Sequence, residues 1–408
     1  MTPDQMRNID RYFGVPITFM VTLLLTVWQI LFRPQGQRPK RILFIELSEM
    51  GSTILADPAM RKARDHFLAE LFFVIFTKNR PSLTLLQTIP DANIFTIDQT
   101  SLGSILTDVV RFRFWCVRNR IDTVVDLELF SRFSTLLSWL SGAVNRAGFY
   151  AFHDEGLYRG ELLTCRVAYN PHIHIAKNFV SLINALAAAK PELPFSKKEV
   201  PDSEIVLPVV KPGLPALAAM RDKIKMVAPH YDETAHRLVL INPNSSELLP
   251  QRRWSPENYH HLISEIVSRY PDILVLITGA PSELPGAEAL VAAISHERCV
   301  NLTGHLIVEE LPALYTLAAL MVTNDSGPGH FSAITRMPTI VLYGPETPKL
   351  YGSLGNVHCL YANLACSPCV SAANHRKTSC VDNVCLQAIT PAMALSSVRE
   401  ILEGHGHA

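Results

Sequence analysis

Val322-Thr323-Asn324-Asp325-Ser326-Gly327-Pro328-Gly329-His330 is the stretch on which the fold of this chain turns. The apolar run Ala318 to Thr323 predicts a buried strand, and Asn-Asp-Ser-Gly predicts a turn that ends it. Phe331 to Arg336 predicts a helix directly behind. In an open α/β sheet, ligands gather at the carboxyl ends of strands, where helix N-termini present free N–H groups. A glycine-rich turn there lets backbone approach phosphate oxygens closely. Asp325, Ser326 and His330 add polar side chains at the same place. The chemistry implied is a phosphate or diphosphate held at a strand-to-helix junction; an ordinary βα loop closed by an Asx turn is the plainer alternative.

The same alternation extends in both directions. Downstream, Thr339 to Tyr343 predicts a strand, and Ala392 to Leu402 the final helix. Upstream, Arg237–Asn242 and Asp272–Thr278 predict strands, and Pro256–Arg269 and Val308–Leu317 helices. An earlier set of strands is expected at Arg41–Leu47, Leu71–Thr77, Ala92–Ile97 and Ile121–Leu127, with helices at Leu102–Arg118 and Ser134–Ser141. Strands alternating with helices at this spacing make βαβ units and parallel sheets. Prolines 191, 194, 201, 208 and 212 mark a change of character between the two sets. The expected organisation is an anchor and flanks at 1–38, a Rossmann-like domain at 39–200 and a linker at 201–235. A second Rossmann-like domain follows at 236–390, then a helix and tail at 391–408. The fold class is α/β, with two doubly wound domains facing a cleft. Loops Ser48–Ser52, Asn242–Trp254, Gly279–Glu283, Asn324–His330 and Gly344–Thr347 are expected to line it.

At 408 residues the chain is too long for one ordinary core. Lysine plus arginine and aspartate plus glutamate number 37 each, so no basic excess points to nucleic acid. Val15 to Phe32, VPITFMVTLLLTVWQILF, carries no formal charge. A spanning helix needs roughly 17–25 such residues, so this run suits a short membrane helix or one lying in the interface. Arg33, Arg38, Lys40 and Arg41 follow it, and the positive-inside rule then places the bulk of the chain in the cytoplasm. Of eight cysteines, four cluster as Cys366, Cys369, Cys380 and Cys385. Four thiolates could hold structural zinc. The spacing lacks the second Cys-x2-Cys of a zinc ribbon, so reduced thiols packing a loop are the preferred reading.

The loops derived above resemble those of glycosyltransferase family 9, the ADP-heptose:lipopolysaccharide heptosyltransferases of GT-B fold. The matching pieces are Asn324 to His330, Pro338 to Pro345, Leu302-Thr303-Gly304, Gly279 to Glu283, and Arg252-Arg253-Trp254-Ser255-Pro256-Glu257. In the first half they are Leu47 to Ser52 and Asp57 to Arg61. The resemblance implies a nucleotide diphosphate on Asn324, Asp325, Ser326, Gly327 and His330. It implies Arg252 as the cation that neutralises the leaving diphosphate, and Glu283 as the acid that binds vicinal hydroxyls. One position departs from the family. Members commonly carry Asp directly after the glycine of the first loop, as catalytic base, and here that residue is Ser52. Glu49, three residues earlier, is the preferred replacement; His153, Asp154, His172 and His174 remain as alternatives.

The function implied is an inverting glycosyltransferase, with heptose as the family's default sugar. The donor would be a nucleotide-diphospho-sugar and the acceptor a membrane-associated glycolipid such as lipopolysaccharide core, at the cytoplasmic face of a bacterial inner membrane. No cofactor beyond the donor substrate is expected. The competing reading is a nucleotide-sugar-binding or scaffold protein of the same fold that lost its base at Ser52. A GT-B-like epimerase would have no use for the anchor.

Overall fold

The structure is a computed structural model describing residues 3–31, 37–129, 131–152, 158–245, 249–372, 374 and 376–404. The chain divides into two compact units, Met1–Val206 and Leu207–Ala408.

The first unit is built on a six-stranded sheet of β1 (Arg41–Ile45), β2 (Glu70–Phe76), β3 (Ile94–Ile97), β4 (Thr123–Asp126), β5 (Asn145–Phe149) and β6 (Cys165–Val167). The strands are parallel and ordered β3-β2-β1-β4-β5-β6. Near-continuous apolar runs such as ILFI and LFFVIF follow from burial on both faces. The N-terminal helices α1 (Pro3–Tyr12) and α2 (Gly14–Leu31) run on through Phe13, whose amide still reaches Ile9 O at 2.9 Å. Next come α3 (Met50–Phe67), α4 (Pro81–Leu86), α5 (Leu102–Arg118), α6 (Arg132–Leu140) and α7 (Ile175–Ala187). One face of the sheet, through Leu43, Ile45, Phe72, Val74 and Val124, forms a core with Ile105, Phe112 and Cys116 of α5 and Leu137 of α6, and Met6 of α1 packs on it. Helices α3 and α7 pack on each other.

The second unit repeats the plan. Its strands are β7 (Arg237–Asn242), β8 (Ile273–Ile277), β9 (Cys299–Asn301), β10 (Ala318–Asn324), β11 (Thr339–Tyr343) and β12 (Val357–Tyr361). They lie parallel in the order β12-β11-β10-β7-β8-β9, the first unit's order read from the other edge. Helices α8 (Leu214–Val227), α9 (Pro256–Arg269), α10 (Leu284–Ile294) and α11 (Leu311–Leu317) precede β10. After it come α12 (Gly327–Ser332), α13 (Pro348–Tyr351), α14 (Val384–Gln387) and α15 (Pro391–Gly404).

Several details differ from the sequence expectations. The helix placed at Phe331–Arg336 begins earlier, at Gly327, because Pro328 sits in its first turn, where a missing N–H costs nothing. Strands β5, β6, β9 and β12 went unread: NRAGF and CRV carry charge and glycine, and three-residue strands show no period. The segment expected to be a linker, 201–235, contains the boundary between the units and also helix α8. That helix buries Met220 and Ile224 and packs on α11. The C-terminal helix α15 contributes Ala394, Val398, Ile401 and Leu402 to the second unit's core.

Candidate active site

Both sheets reverse their strand order beside their first strand, between β1 and β4 and between β7 and β10. Such switch points open a crevice at the strand carboxyl ends. Of the residues singled out from the sequence, Glu49 and Ser52 follow β1 at the first of these places. Arg252 follows β7, and Asn324 to His330 close and follow β10, at the second. Glu283 lies one strand further on, after β8, and His172 and His174 lie between β6 and α7.

In the second unit, Asn324 closes β10 and is fully buried. Its Oδ1 accepts from the Trp254 amide and the Tyr259 hydroxyl, both at 3.1 Å. Its Nδ2 donates to the carbonyls of Pro243 at 2.9 Å and Asn244 at 3.3 Å. This one amide ties the loop after β7, the Arg-Arg-Trp turn and the end of β10 together, so its side chain serves as a brace inside the unit. Trp254 is in turn fixed by its indole N–H, which donates to Ile389 O at 2.7 Å.

The brace places Arg252 beside Asp325, with Nε 3.5 Å from Oδ2. Arg252 also pairs with Glu346 in the loop after β11. The other Glu346 oxygen lies 3.4 Å from Nε of Arg376, whose guanidinium sits over the Tyr351 ring, 4.6 Å from its centroid. Two guanidiniums and two carboxylates from four separate segments thus form one largely buried cluster. His330, in the first turn of α12, is held through Nδ1 to Ser353 Oγ at 3.2 Å. Ser326 caps α12 by position, and its hydroxyl donates to Asn324 O at 3.2 Å. Glu283 follows β8, and its Oε2 accepts the Ala280 amide at 2.6 Å. A Cβ on Gly279 would stand 2.8 Å from both this oxygen and Asn244 Nδ2, so only glycine lets these two groups close over the strand end.

In the first unit, Ser52 Oγ donates to Glu49 Oε2 at 3.2 Å, so the preferred base and the residue at the departing position are in contact. Their loop is held from β4. Glu128 Oε1 accepts from the amides of Leu47 at 2.8 Å and Ser48 at 3.1 Å, and from the Ser48 hydroxyl at 3.0 Å. Burial, with added repulsion from Asp126 and Glu49, pushes the Glu128 carboxyl up to about 6. Among the alternatives for the base, His174 caps α7, with Nδ1 accepting the Ala176 amide at 3.2 Å. His172 lies on the exposed turn before it. His153 and Asp154 lie outside the described residues.

Glu346 and Glu128 were not singled out as site residues from the sequence, and Arg376 stood out only within the basic stretch between Cys369 and Cys380, which could face an anionic acceptor or be a solvated loop. Each lies just after a strand or in a loop, with partners distant along the chain. The available signal was position: Glu346 is the one acid in the expected loop Gly344–Thr347. The cysteine segment folds against that loop, with the amide of Cys369 donating to Pro345 O at 3.0 Å. Cys366 is exposed, Cys385 is buried, and Cys380 Sγ donates to Asp382 O at 3.0 Å. Among the described residues no group of three or more His, Cys, Asp or Glu side chains is placed to hold a metal ion.

Residues 118–379 match the model of glycosyltransferase family 9 (heptosyltransferase). The chain belongs to glycosyltransferase family 9. Among relatives of this family-9 chain, a lipopolysaccharide core heptosyltransferase, OpsX of Haemophilus influenzae, is 22% identical over 333 residues, covering 80% of this chain and 86% of that protein. Lipooligosaccharide heptosyltransferase 2 of the same organism is 28% identical over 182 residues, 41% of this chain and 52% of that protein. Apart from OpsX, the chain spans about half or less of the length of the curated relatives it matches. Among solved structures, Escherichia coli ADP-heptose lipopolysaccharide heptosyltransferase II superposes with a TM-score of 0.69 at 18% identity, covering 90% of this chain and 99% of that one. A family 9 glycosyltransferase from Veillonella parvula gives 0.70 at 18%, with the same coverage. At these identities the likeness is one of fold, and it agrees with the expected GT-B pattern of two parallel-sheet α/β units.

Proposed function

We propose that the chain is an inverting glycosyltransferase that moves a sugar from a nucleotide-diphospho-sugar to a membrane-associated glycolipid, at the cytoplasmic face of a bacterial inner membrane. Heptose is the sugar of the family's name, and ADP-heptose the donor named for the E. coli enzyme. The reading rests on Arg252, braced by Asn324 and flanked by Asp325 and Glu346 where the second sheet reverses. A cation held rigidly where negative charge develops on a departing diphosphate stabilises the transition state without reorganisation. Asp325, Ser326, Gly327 and His330 surround the diphosphate, and Glu283 takes donor hydroxyls. In the displacement, the acceptor oxygen bonds to the anomeric carbon, and the bond from that carbon to the diphosphate oxygen breaks. The acceptor proton passes to Glu49 of the first unit, oriented by Ser52. The exposed apolar face of α2 supports the membrane-associated part of the reading.

Donor affinity by calorimetry and release of nucleoside diphosphate under turnover test the assignment. Arg252→Ala is expected to weaken ADP-heptose binding by about 1.5–3 kcal/mol, the cost of a lost charge-assisted hydrogen bond. Glu49→Gln should leave that affinity nearly intact and lower turnover by about 10²–10⁴-fold. Wild-type turnover in Glu49→Gln removes Glu49 as base. Donor binding without any turnover of the natural chain would instead favour the binding-protein reading that Ser52 raises.

A further inference from the structure

The N-terminal helix has two unlike sides. Gly14, Thr18 and Thr22 recur at four-residue intervals and so form one stripe. That stripe is seated on the first unit. A Cβ on Gly14 would come within 3.0 Å of the Arg132 side chain, and Thr18 is fully buried. Gly160, at φ +68°, packs against both threonines: a Cβ on it would stand 2.6 Å from Thr22 Oγ1 and 3.0 Å from Thr18 O. The neighbouring amide of Glu161 donates to Thr22 Oγ1 at 2.9 Å. Upstream, Asp10 accepts the Phe133 amide at 2.7 Å and pairs with Arg132, the first residue of α6, at 3.2 Å. Met6 packs on the core. Contact with the folded unit therefore runs from Met6 to Thr22.

The segment after Thr22, Leu23–Leu31, is about 13 Å long at 1.5 Å per residue. A bilayer's hydrocarbon core is roughly 30 Å thick. By length and composition Gln5–Val27 would suffice to cross it. In this docked arrangement, crossing would carry Asp10, Arg132 and the backbone at Glu161 into hydrocarbon, which is costly for charged groups.

The outer side of α2 is apolar and exposed: Ile17, Phe19, Met20, Leu23, Leu24 and Val27. A second exposed stripe runs along α5 through Leu102, Leu106, Val110, Phe114 and Val117, while the helix's inner side enters the core. The two stripes belong to one side of the sheet. Arg113 of α5 donates to Ser141 O at the end of α6, at 3.1 Å, and α6 is the helix on which α1 and α2 rest. Arg11, Arg111 and Arg118 are exposed on these same helices.

We infer that this layer is a monotopic membrane-binding face. α2 lies in the headgroup region with its outer side at the acyl boundary, and α5 adds a second contact. The occupant is an anionic lipid surface: long aliphatic and aromatic side chains alongside arginines suit a bilayer interface. The inference rests on the membrane-associated reading above and extends it to a geometry.

The test uses the full chain with vesicles of phosphatidylethanolamine and phosphatidylglycerol, and separately of phosphatidylcholine. Flotation with the anionic vesicles and release by alkaline carbonate are expected. Leu106→Ser/Val110→Ser/Phe114→Ser should lower vesicle partitioning by ~10-fold or more, with circular dichroism and ADP affinity unchanged. Failure of the natural chain to float on either vesicle would sink the membrane reading itself. Carbonate-resistant binding would overturn only the monotopic geometry. A triple variant that floats like the natural chain would remove α5 from the face, and if it also changes from dimer to monomer the stripe is an interface between copies.

Discussion

At the scale of single residues, the charged groups at the strand ends divide into those legible from sequence and those visible only in three dimensions. Arg252 and Asp325 flank predicted strands and turns, so their place near the site follows from local pattern. The role of Asn324 does not, because its partners Trp254 and Tyr259 lie 70 and 65 residues away along the chain. Glu128 is similar: nothing near it in sequence announces that it holds Leu47 and Ser48, some 80 residues upstream. Its raised carboxyl has a measurable consequence. The folded chain holds a proton there up to about pH 6, above the ordinary 4.5 of an unfolded glutamate, so stability falls as pH rises through that window. Glu128→Gln keeps an acceptor for the two amides and removes the repulsion with Asp126 and Glu49. The variant should match the natural chain near pH 4.5 and exceed it by roughly 1–2 kcal/mol at pH 7, since each tenfold change in proton affinity is worth about 1.4 kcal/mol. Thermal melts of both proteins from pH 4.5 to 7 check this; parallel curves would show that Glu128 titrates normally.

At the scale of elements, some long periodic segments were legible, while helices α7, α8 and α10 and the shortest strands went unread. Helix α5 coincides with its expected span, Leu102–Arg118, because a serine cap opens it and its apolar period is sustained. Strands β6 and β9, three residues each, carry too little pattern to stand out. The apolar character of α2 was equally plain from its sequence, but its docking was not, since Gly160 and Glu161 lie far along the chain. Gly160→Ala tests that docking. It puts a Cβ at positive φ and drives it into Thr22 and the Thr18 carbonyl. A cost of about 1–3 kcal/mol is expected, confined to the seating of α2. Hydrogen exchange of the amides from Thr18 to Thr26 should quicken markedly, while amides of β1 and β4 stay protected. Unchanged exchange in α2 would mean that the helix is not held at Gly160.

At the scale of the whole molecule, the two units divide between Val206 and Leu207, within the proline-rich stretch, and the sequence does not show to which unit the residues of that stretch belong. Helix α8 illustrates this: its spacing is helical, yet only the burial of Met220 and Ile224 and its packing on α11 attach it to the second unit. Residues 207–404 expressed alone should therefore melt cooperatively, whereas 236–404, without α8, should melt lower or not fold. Equal melting temperatures for the two fragments would make α8 dispensable. One consequence of the Arg252 cluster also belongs here. Its two guanidiniums are matched by Asp325 and Glu346, and over the whole chain 37 basic residues are matched by 37 acidic ones. Within this cluster the charges are thus matched, and salt screens whatever field remains beyond a Debye length of about 8 Å. On the proposed reading, a dianionic sugar-nucleotide donor would have to share Arg252 with the carboxylates of Asp325 and Glu346 already in place. Recognition on that reading would be a short-range exchange of partners at Arg252.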